Sequence, residues 1–295
     1  MAGKRSIGAL VPQIPFSFRT FGFRIFWLAL GLTSAWTQPA VSAPPLEATR
    51  WTNSLGMVFA AVPNTPARFS IYETRVRDFA AFASTQPPLD GTNWNHAFYH
   101  ETTPVSPGPD YPVVNVSWND AAAFCAWLTA SERKSGRLAT NECYRLPTDA
   151  EWSLAVGIGE RETGATPREK NGKLENVYPW GGEFPPPPGT GNFADLAALR
   201  YFTNWPHIAD YDDGFVATAP VGSFRPNALG LYDLAGNALE WCADAYDDTG
   251  RQRVLRGGAW INCGPHSLLS SYREHAAPGR FSVATGFRCV LAPNP

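Results

Sequence analysis

Charged residues are scarce in this chain of 295 residues: they make up 17% of it, and the formal net charge is −2. Without a strongly basic balance, the composition argues against a nucleic-acid partner. The sequence also lacks a CxxC pair, a Walker A loop, a dinucleotide-binding GxGxxG pattern and a GxSxG elbow. These absences weaken the zinc-ribbon, nucleotide-binding and serine-hydrolase interpretations.

Glycine, proline and aromatic residues are abundant instead, with 26 Gly, 27 Pro, 11 Trp and 18 Phe. This composition favours a fold dominated by ordered loops over a helix bundle. The apolar content of 44% is ample for a substantial core. Because no linker is visible between Leu46 and Pro293, we expect one domain over residues 46–293.

The first 43 residues have the composition of a targeting segment. An uncharged apolar stretch, Ile25–Trp36, follows basic residues and precedes the small residues Val41-Ser42-Ala43, where a signal peptidase could cut. The stretch is shorter than the roughly 20 residues of a comfortable transmembrane helix. Pro44 would hinder cleavage, so residues 1–43 are predicted to be a signal peptide or an N-terminal anchor. Either way, we expect an exported protein, periplasmic or secreted, with no other membrane contact.

Export makes the five cysteines disulfide candidates, and their odd number leaves at least one unpaired. They are Cys125, Cys143, Cys242, Cys263 and Cys289.

Local patterns predict short strands, capped helices and long loops. Strands are expected over 57–62, 69–72, 113–116, 254–256 and 286–290, with a helix beginning at Thr74. Ser117 with Asp120, and Thr148 with Glu151, have the spacing of capping boxes that begin two more helices. Residues 157–213 show little periodicity and are predicted to be mostly ordered loop.

The run Pro220–Asp244, PVGSFRPNALGLYDLAGNALEWCAD, is the most informative segment. Asp233 and Glu240 stand on either side of a turn at Gly236-Asn237, so the loop could wrap a calcium ion. The alternative is that both carboxylates only cap turns.

Together with YRLPTDAEW (Tyr144–Trp152) and RVLRGGAW (Arg253–Trp260), this run resembles the formylglycine-generating enzyme family, also called sulfatase-modifying factors. The resemblance covers nearly all of the chain after Pro45. It implies a mixed α/β fold of the sulfatase-modifying-factor type, related to C-type lectins, with short strands and extensive ordered loops.

The resemblance implies two calcium sites and one disulfide. One site matches Asp233, Gly236, Ala238 and Glu240; the other matches Asn192 and Asp213 by side chain, and Phe193 and Phe215 by carbonyl. The family disulfide matches Cys125 and Cys289. Cys143 and Cys242 could form a second disulfide with each other, or both could be buried free thiols; the sequence leaves both alternatives open.

The resemblance also implies a copper centre that this chain has lost. The family's oxidases hold Cu(I) between two thiolates five residues apart. Counted from the turn at Gly257-Gly258, Cys263 stands one residue after the position of the family's first cysteine. Counted back from Tyr272-Arg273, the position of the second cysteine falls on Leu269. The family's active-site serine matches Ala259, and a substrate-site asparagine matches Ala284. Copper binding is therefore not expected, although Trp260 and Arg273 match the substrate groove.

Two functions remain open from the sequence. The first is an exported, calcium-stabilised module that binds a peptide or protein partner without oxidase activity. The second is a protein-modifying enzyme, either the family's oxidase or one of altered chemistry that uses Cys263, whose thiolate Arg256 and Arg273 could favour. His96 and His100 have the i, i+4 spacing of metal ligands, but their Pro-rich surroundings favour a loop.

Overall fold

The structure, a computed structural model, describes residues 50–86, 93–99 and 102–295. The predicted targeting segment and His100 lie outside these ranges. Within them, no helix is both long and apolar enough to cross a membrane.

The described residues form five α-helices and eleven short strands, which are joined by long loops. The helices are α1 Val76–Ala83, α2 Trp118–Lys134, α3 Asp149–Val156, α4 Pro167–Lys170 and α5 Leu196–Tyr201. The strands are β1 Trp51–Thr52, β2 Val58–Ala61, β3 Arg68–Ser70, β4 Phe98–Tyr99, β5 Thr103–Pro104, β6 Glu142–Arg145, β7 Leu239–Ala245, β8 Arg253–Arg256, β9 Glu274–Ala276, β10 Thr285–Gly286 and β11 Val290–Pro293.

The strands form two main sheets and one small hairpin. The larger sheet has the order β1-β2-β3-β11-β6 and is antiparallel throughout. The second has the order β10-β7-β8-β9, with β10 parallel to β7. Strands β4 and β5 pair only with each other among the described residues. The C-terminal strand β11 lies inside the larger sheet, hydrogen-bonded to β3 on one side and to β6 on the other.

Both predicted capping boxes are confirmed. The Ser117 hydroxyl accepts a hydrogen bond from the Asp120 backbone N–H, and the Asp120 carboxylate accepts one from the Ser117 N–H. Thr148 and Glu151 exchange the same pair of bonds at α3. These motifs are local in sequence, which is why they are readable without the fold.

The strand expected over residues 113–116 is wrong. The segment is buried, and the Val113 N–H donates to the Thr74 carbonyl, but no strand forms there. Asn115 has a φ of +61°, which interrupts an extended backbone. The helix expected from Thr74 begins at Val76, and the strand expected over 286–290 is split between β10 and β11.

Three apolar clusters fill the interior of the described residues. The largest packs α1 and α2 against both sheets through Phe79, Phe124 and Phe287, whose rings contact one another. The third, around Phe193, Leu268 and Leu269, fixes the long loops. Residues 157–213 are mostly ordered loop, as expected, with only the short helices α4 and α5 and a 3-10 turn at Gly159–Arg161, and aromatic packing helps to hold these loops.

Candidate functional site

The turn after Asp233 lies beside a buried group of three carboxylates and one guanidinium. Arg288 Nε donates to Glu240 Oε2 at 2.7 Å, and a second guanidinium nitrogen donates to Oε1. Glu73 accepts hydrogen bonds from the Asn237 amide at 2.6 Å and the Ala238 N–H at 2.9 Å. The third carboxylate is Asp233, which accepts from the Gly222 N–H at 2.7 Å.

Arg288 cannot neutralise all three acids. Burial raises the pKa of Glu73 well above its usual value, and the charges of Asp233 and Glu240 raise it further. Burial also raises the pKa of Asp233 to about 6. Asp233 Oδ1 is buried without a hydrogen-bond partner among the described residues. The loop therefore has an unpartnered oxygen donor, and its carboxylates favour the protonated form unless a cation stabilises their charged form.

The second predicted ligand set lies close to the first. The Asn237 N–H donates to the Asn192 carbonyl at 2.9 Å, which ties the two loops together. The Asp213 carboxylate accepts from the Phe193 N–H at 2.9 Å and the Phe215 N–H at 2.8 Å. The structure thus brings together the four residues that the sequence suggested for this set.

The same shortage of positive charge is found here. Asn192 is fully buried; its amide nitrogen donates to the Ala217 carbonyl at 2.7 Å, whereas its Oδ1 has no partner in the described structure. Burial raises the pKa of Asp213 to about 8, outweighing the two backbone N–H groups that lower it. An unpartnered amide oxygen beside such a carboxylate suits a hard, oxygen-seeking cation.

Calcium fits both sets by donor chemistry. Among the described residues, no group of three or more His, Cys, Asp or Glu side chains is arranged to hold a metal. A cation here would depend on amide and carbonyl oxygens as well as carboxylates, a mixture that calcium accepts. Glu240 would have to share its carboxylate with Arg288, so the Asn192–Asp213 set is the better match.

Cys263 lies at the edge of the third apolar cluster, which contains no other cysteine among the described residues. Burial raises the pKa of its thiol. Arg256 and Arg273 do not supply the cationic surroundings considered from the sequence, because Asp149 binds both of them. The setting therefore disfavours a reactive thiolate.

The other positions matching the copper centre are built into packing. The Asn262 side-chain oxygen accepts from the Ala259 N–H at 2.8 Å and so closes the turn after Gly257-Gly258. Leu269 belongs to the third apolar cluster. Ala259 and Ala284 are fully buried. None of the four side chains can ligate a soft metal.

Trp260 and Arg273, which match the family's substrate groove, are buried in the structure. Each is 1% exposed. Trp260 donates to the Val283 carbonyl at 3.1 Å and packs against Tyr99, while Arg273 is bound by Asp149 and Glu162. Both side chains are occupied by contacts within the protein, and their role in a substrate groove stays a prediction.

A family model described as a Sulfatase-modifying factor enzyme 1-like domain matches residues 58–293. The chain belongs to this family. The resemblance drawn from the sequence motifs is thereby confirmed, together with the mixed α/β fold of the sulfatase-modifying-factor type.

Relatives of the chain in this family include proteins described as active and as inactive. The chain is 36% identical over 206 residues to the Inactive C-alpha-formylglycine-generating enzyme 2 of Mus musculus, covering 66% of this chain and 54% of that protein. It is 32% identical over 216 residues to the Formylglycine-generating enzyme of Thermomonospora curvata, covering 64% of this chain and 58% of that enzyme. The matches thus span little more than half of these two relatives.

One solved structure supports the fold. PvdO from Pseudomonas aeruginosa aligns with a TM-score of 0.55 at 21% identity, covering 83% of this chain and 98% of that one. At this identity the likeness concerns the fold alone.

The cysteines of this sulfatase-modifying-factor domain are all free thiols in the structure. Cys125 Sγ and Cys289 Sγ are 3.5 Å apart, in contact but beyond the roughly 2.05 Å of a disulfide. The predicted pairing therefore remains a prediction, with its partners adjacent. Cys143 and Cys242 lie on different sheets, with their sulfurs near the carbonyls of Pro293 and Glu240 respectively.

Glu73 and Arg288 are the site residues that sequence reasoning missed. Glu73 stands alone between β3 and α1, so no local spacing marks it. Arg288 follows Gly286-Phe287 just after β10, and no local spacing marks its guanidinium as buried. His96 is exposed, and the structure gives it no metal-binding partner among the described residues.

Proposed function

We propose that this protein is an exported, calcium-stabilised member of the sulfatase-modifying-factor family that binds a peptide or protein partner and does not perform copper-dependent cysteine oxidation. The observation that carries this proposal is the chemistry of the former copper positions. Counted forward from Gly257-Gly258, the first thiol position falls on Asn262; counted back from Tyr272-Arg273, the second falls on Leu269. Neither residue is a cysteine, the two positions are not at the family spacing of five, and Cys263 has no second sulfur in its cluster among the described residues.

A lone thiol is a poor substitute for that pair. Cu(I) is soft and is bound by converging thiolates. The Asn262 amide is held by the Ala259 N–H, and the Leu269 side chain is buried in apolar packing. The relative from Mus musculus is described as inactive, which is consistent with a family member that keeps the fold without the oxidation.

The direct test is a turnover assay. The purified full chain is incubated with Cu(I), oxygen and a peptide containing Cys-x-Pro-x-Arg, and the aldehyde product is sought by mass spectrometry. The Thermomonospora curvata enzyme serves as the positive control. We expect no aldehyde above the enzyme-free background; a sustained yield that disappears in Cys263→Ser would refute the proposal.

Calcium, on this proposal, is a structural ion. It would be held by Asn192 and Asp213 with the carbonyls of Phe193 and Phe215, and by Asp233 with Gly236, Ala238 and Glu240. A cation at either position would compensate buried carboxylate charge, so binding would stabilise the folded state by mass action.

Thermal unfolding with calcium or with a chelator tests this role. At a calcium concentration of about 100 times Kd, one site would add roughly 2.7 kcal/mol to the free energy of unfolding. Asp213→Asn should reduce the calcium-dependent rise in Tm, whereas Asp212→Asn should retain it. Asp212 is the adjacent exposed carboxylate, paired with Arg200 at 2.7 Å, and is the matched control. No shift in the unaltered protein would remove calcium from the proposal.

Export is the remaining part of the proposal, and it depends on residues 1–43. N-terminal sequencing of the protein recovered from its producing cells distinguishes the alternatives. A new terminus near Pro44 indicates a cleaved signal, an intact terminus in the membrane fraction indicates an anchor, and an intact terminus in the cytosol contradicts export.

A further inference from the structure

Two adjoining cavities form a surface groove away from the former copper positions. Their volumes are about 240 Å³ and 580 Å³, and both are lined by Pro179 and Asn227. Neither cavity is lined by Cys263 or Trp260. We call this feature the Pro179 groove.

One wall of the Pro179 groove is fixed by Asn227. Its amide nitrogen donates to the Ala155 carbonyl at 2.8 Å, which ties the wall to α3. Its side-chain oxygen accepts from the N–H groups of Leu229 at 3.0 Å and Leu231 at 3.1 Å. A concavity held by such bonds is present before any partner arrives, so binding would require little ordering of the wall.

The groove is lined by rigid apolar groups. Pro63, Pro179, Pro187 and Pro226 line it, together with the partly buried side chains of Leu154, Val156 and Leu229. Trp180 lines the smaller cavity and stacks on Tyr178 with ring centroids 4.8 Å apart. Proline and aromatic surfaces of this kind suit an extended apolar or proline-containing segment, which loses little conformational entropy on binding.

Two guanidinium groups lie along the groove. Arg161 lines the larger cavity and Arg225 the smaller one, and both are exposed. Neither has an ion-pair partner in the described parts of the chain. Glu160 is the carboxylate that lines the larger cavity, and it accepts a hydrogen bond from the Asn64 amide at 2.8 Å. Asp233 also lines the smaller cavity but is buried, so the exposed charges along the groove are Arg161, Arg225 and Glu160, an excess of one positive charge that can bind a carboxylate.

We propose that the Pro179 groove binds an extended segment of a partner protein, with proline or aliphatic side chains against its floor and acidic side chains paired with Arg161 and Arg225. This inference depends on the binding role proposed above and identifies its surface. The Pro179 groove is separate from Trp260 and Arg273, which do not line either cavity.

Fluorescence anisotropy with short labelled peptides tests the proposal on the full-length protein. The probe is acetyl-Asp-Pro-Leu-Pro-Leu-Pro-Asp-amide carrying fluorescein, compared with the same peptide flanked by Lys. We expect the acidic peptide to bind about tenfold or more tightly than the basic one, and Arg161→Glu or Arg225→Glu to remove that preference. Ala228→Trp, which fills the larger cavity from an exposed loop position, should abolish binding.

Arg280→Glu is the matched control, because Arg280 is also exposed and lines a different cavity beside β9. It should leave the affinity for the acidic peptide unchanged. Equal affinity for the acidic and basic peptides, equal losses in Arg280→Glu and Arg225→Glu, or no binding at all would each overturn the proposal. So would a dimer in sedimentation velocity that Ala228→Trp dissociates, since a second copy would then occupy the groove.

These outcomes are independent of the turnover assay. Aldehyde formation would refute the proposed absence of oxidation whatever binds at Arg161 and Arg225. Conversely, a groove that binds no acidic peptide would leave the copper chemistry unaffected.

Discussion

Several charged side chains are fully buried in this protein and are paired with one another. Arg256 and Arg273 are both fully enclosed, and Asp149 binds both of them, while Glu162 binds Arg273 at 2.6 Å. Burial alone would raise the pKa of Asp149, but the two guanidinium groups outweigh it and hold the pKa below its usual value. The carboxylate therefore connects α3, β8 and the loop before β9.

Asp149→Asn should be strongly destabilising at neutral pH. It leaves two buried guanidinium groups short of negative charge, a change that typically costs about 3–5 kcal/mol. Because the folded-state pKa is depressed, this contribution is present above the unfolded pKa of about 3.9 and is lost as the pH falls through the folded value. In urea unfolding, the free energy of unfolding of Asp149→Asn should thus be much lower than that of the unaltered protein at pH 7. This gap should narrow below pH 4.

The control for Asp149→Asn is Asp110→Asn, which removes an exposed ion pair with Arg77 and should change the unfolding midpoint little. A similar small effect of both substitutions would contradict the account of the buried network.

Gly236 is a second residue on which the structure depends. Its φ is +81°, and a Cβ at this position would collide with the Asn192 carbonyl oxygen. Gly250 also has a positive φ, +66°, but nothing lies within 4 Å of its missing Cβ.

Gly236→Ala should therefore destabilise far more than Gly250→Ala. Gly250→Ala, the control, should cost only the roughly 1–2 kcal/mol of a non-glycine residue in the left-handed conformation. Gly236→Ala has the same backbone cost and must also push apart the loops that contain Asn192 and Asn237. Differential scanning calorimetry of both variants compares the two costs. Equal shifts in Tm would show that the close approach of these loops is not required.

Helix starts illustrate what sequence can predict at the level of the element. The boxes at Ser117 and Thr148 depend on residues three apart, so their bonds form wherever the local spacing allows. The apolar pattern of segment 113–116 is typical of a buried strand. In the structure, however, its backbone N–H groups donate hydrogen bonds to the carbonyls of Thr74 and Ser282. Those partners are remote in sequence, so no local pattern could predict that it is not a strand.

Ser117→Ala should lower the free energy of unfolding by about 1 kcal/mol, because α2 loses the hydroxyl that accepts from the Asp120 N–H. Denaturant unfolding measures the change. Ser135→Ala, at the other end of the same helix, is the comparison: its hydroxyl donates to the Glu132 carbonyl and caps no N–H. A larger effect at Ser135 would contradict the assigned role of the N-terminal cap.

At the scale of the whole molecule, contacts between segments that are distant in sequence join the short helices and strands. Cys125 on α2 meets Cys289 just before β11, across a sequence separation of 164 residues. The family resemblance predicted this pair, and the structure places the sulfurs in contact. By contrast, the Glu73–Arg288 group joins positions that no motif connects, so the sequence alone could not predict it.

Oxidation should link Cys125 to Cys289 and leave the other three thiols free. Closing so long a loop is expected to add about 4–5 kcal/mol to the free energy of unfolding on the chain-entropy model. Alkylation under denaturing conditions followed by peptide mass spectrometry identifies the bond, and urea unfolding with and without reductant measures its effect. Five alkylated thiols after oxidative folding would contradict the pairing.

The central claim is that this scaffold no longer provides paired sulfur ligands for copper. The most direct measurement is an anaerobic Cu(I) titration of the full-length protein against a chromophoric chelator, with Cys263→Ser as the companion variant. We predict that the chelator keeps the copper and that the two proteins behave alike. Stoichiometric Cu(I) uptake by the unaltered protein that Cys263→Ser abolishes would contradict the account.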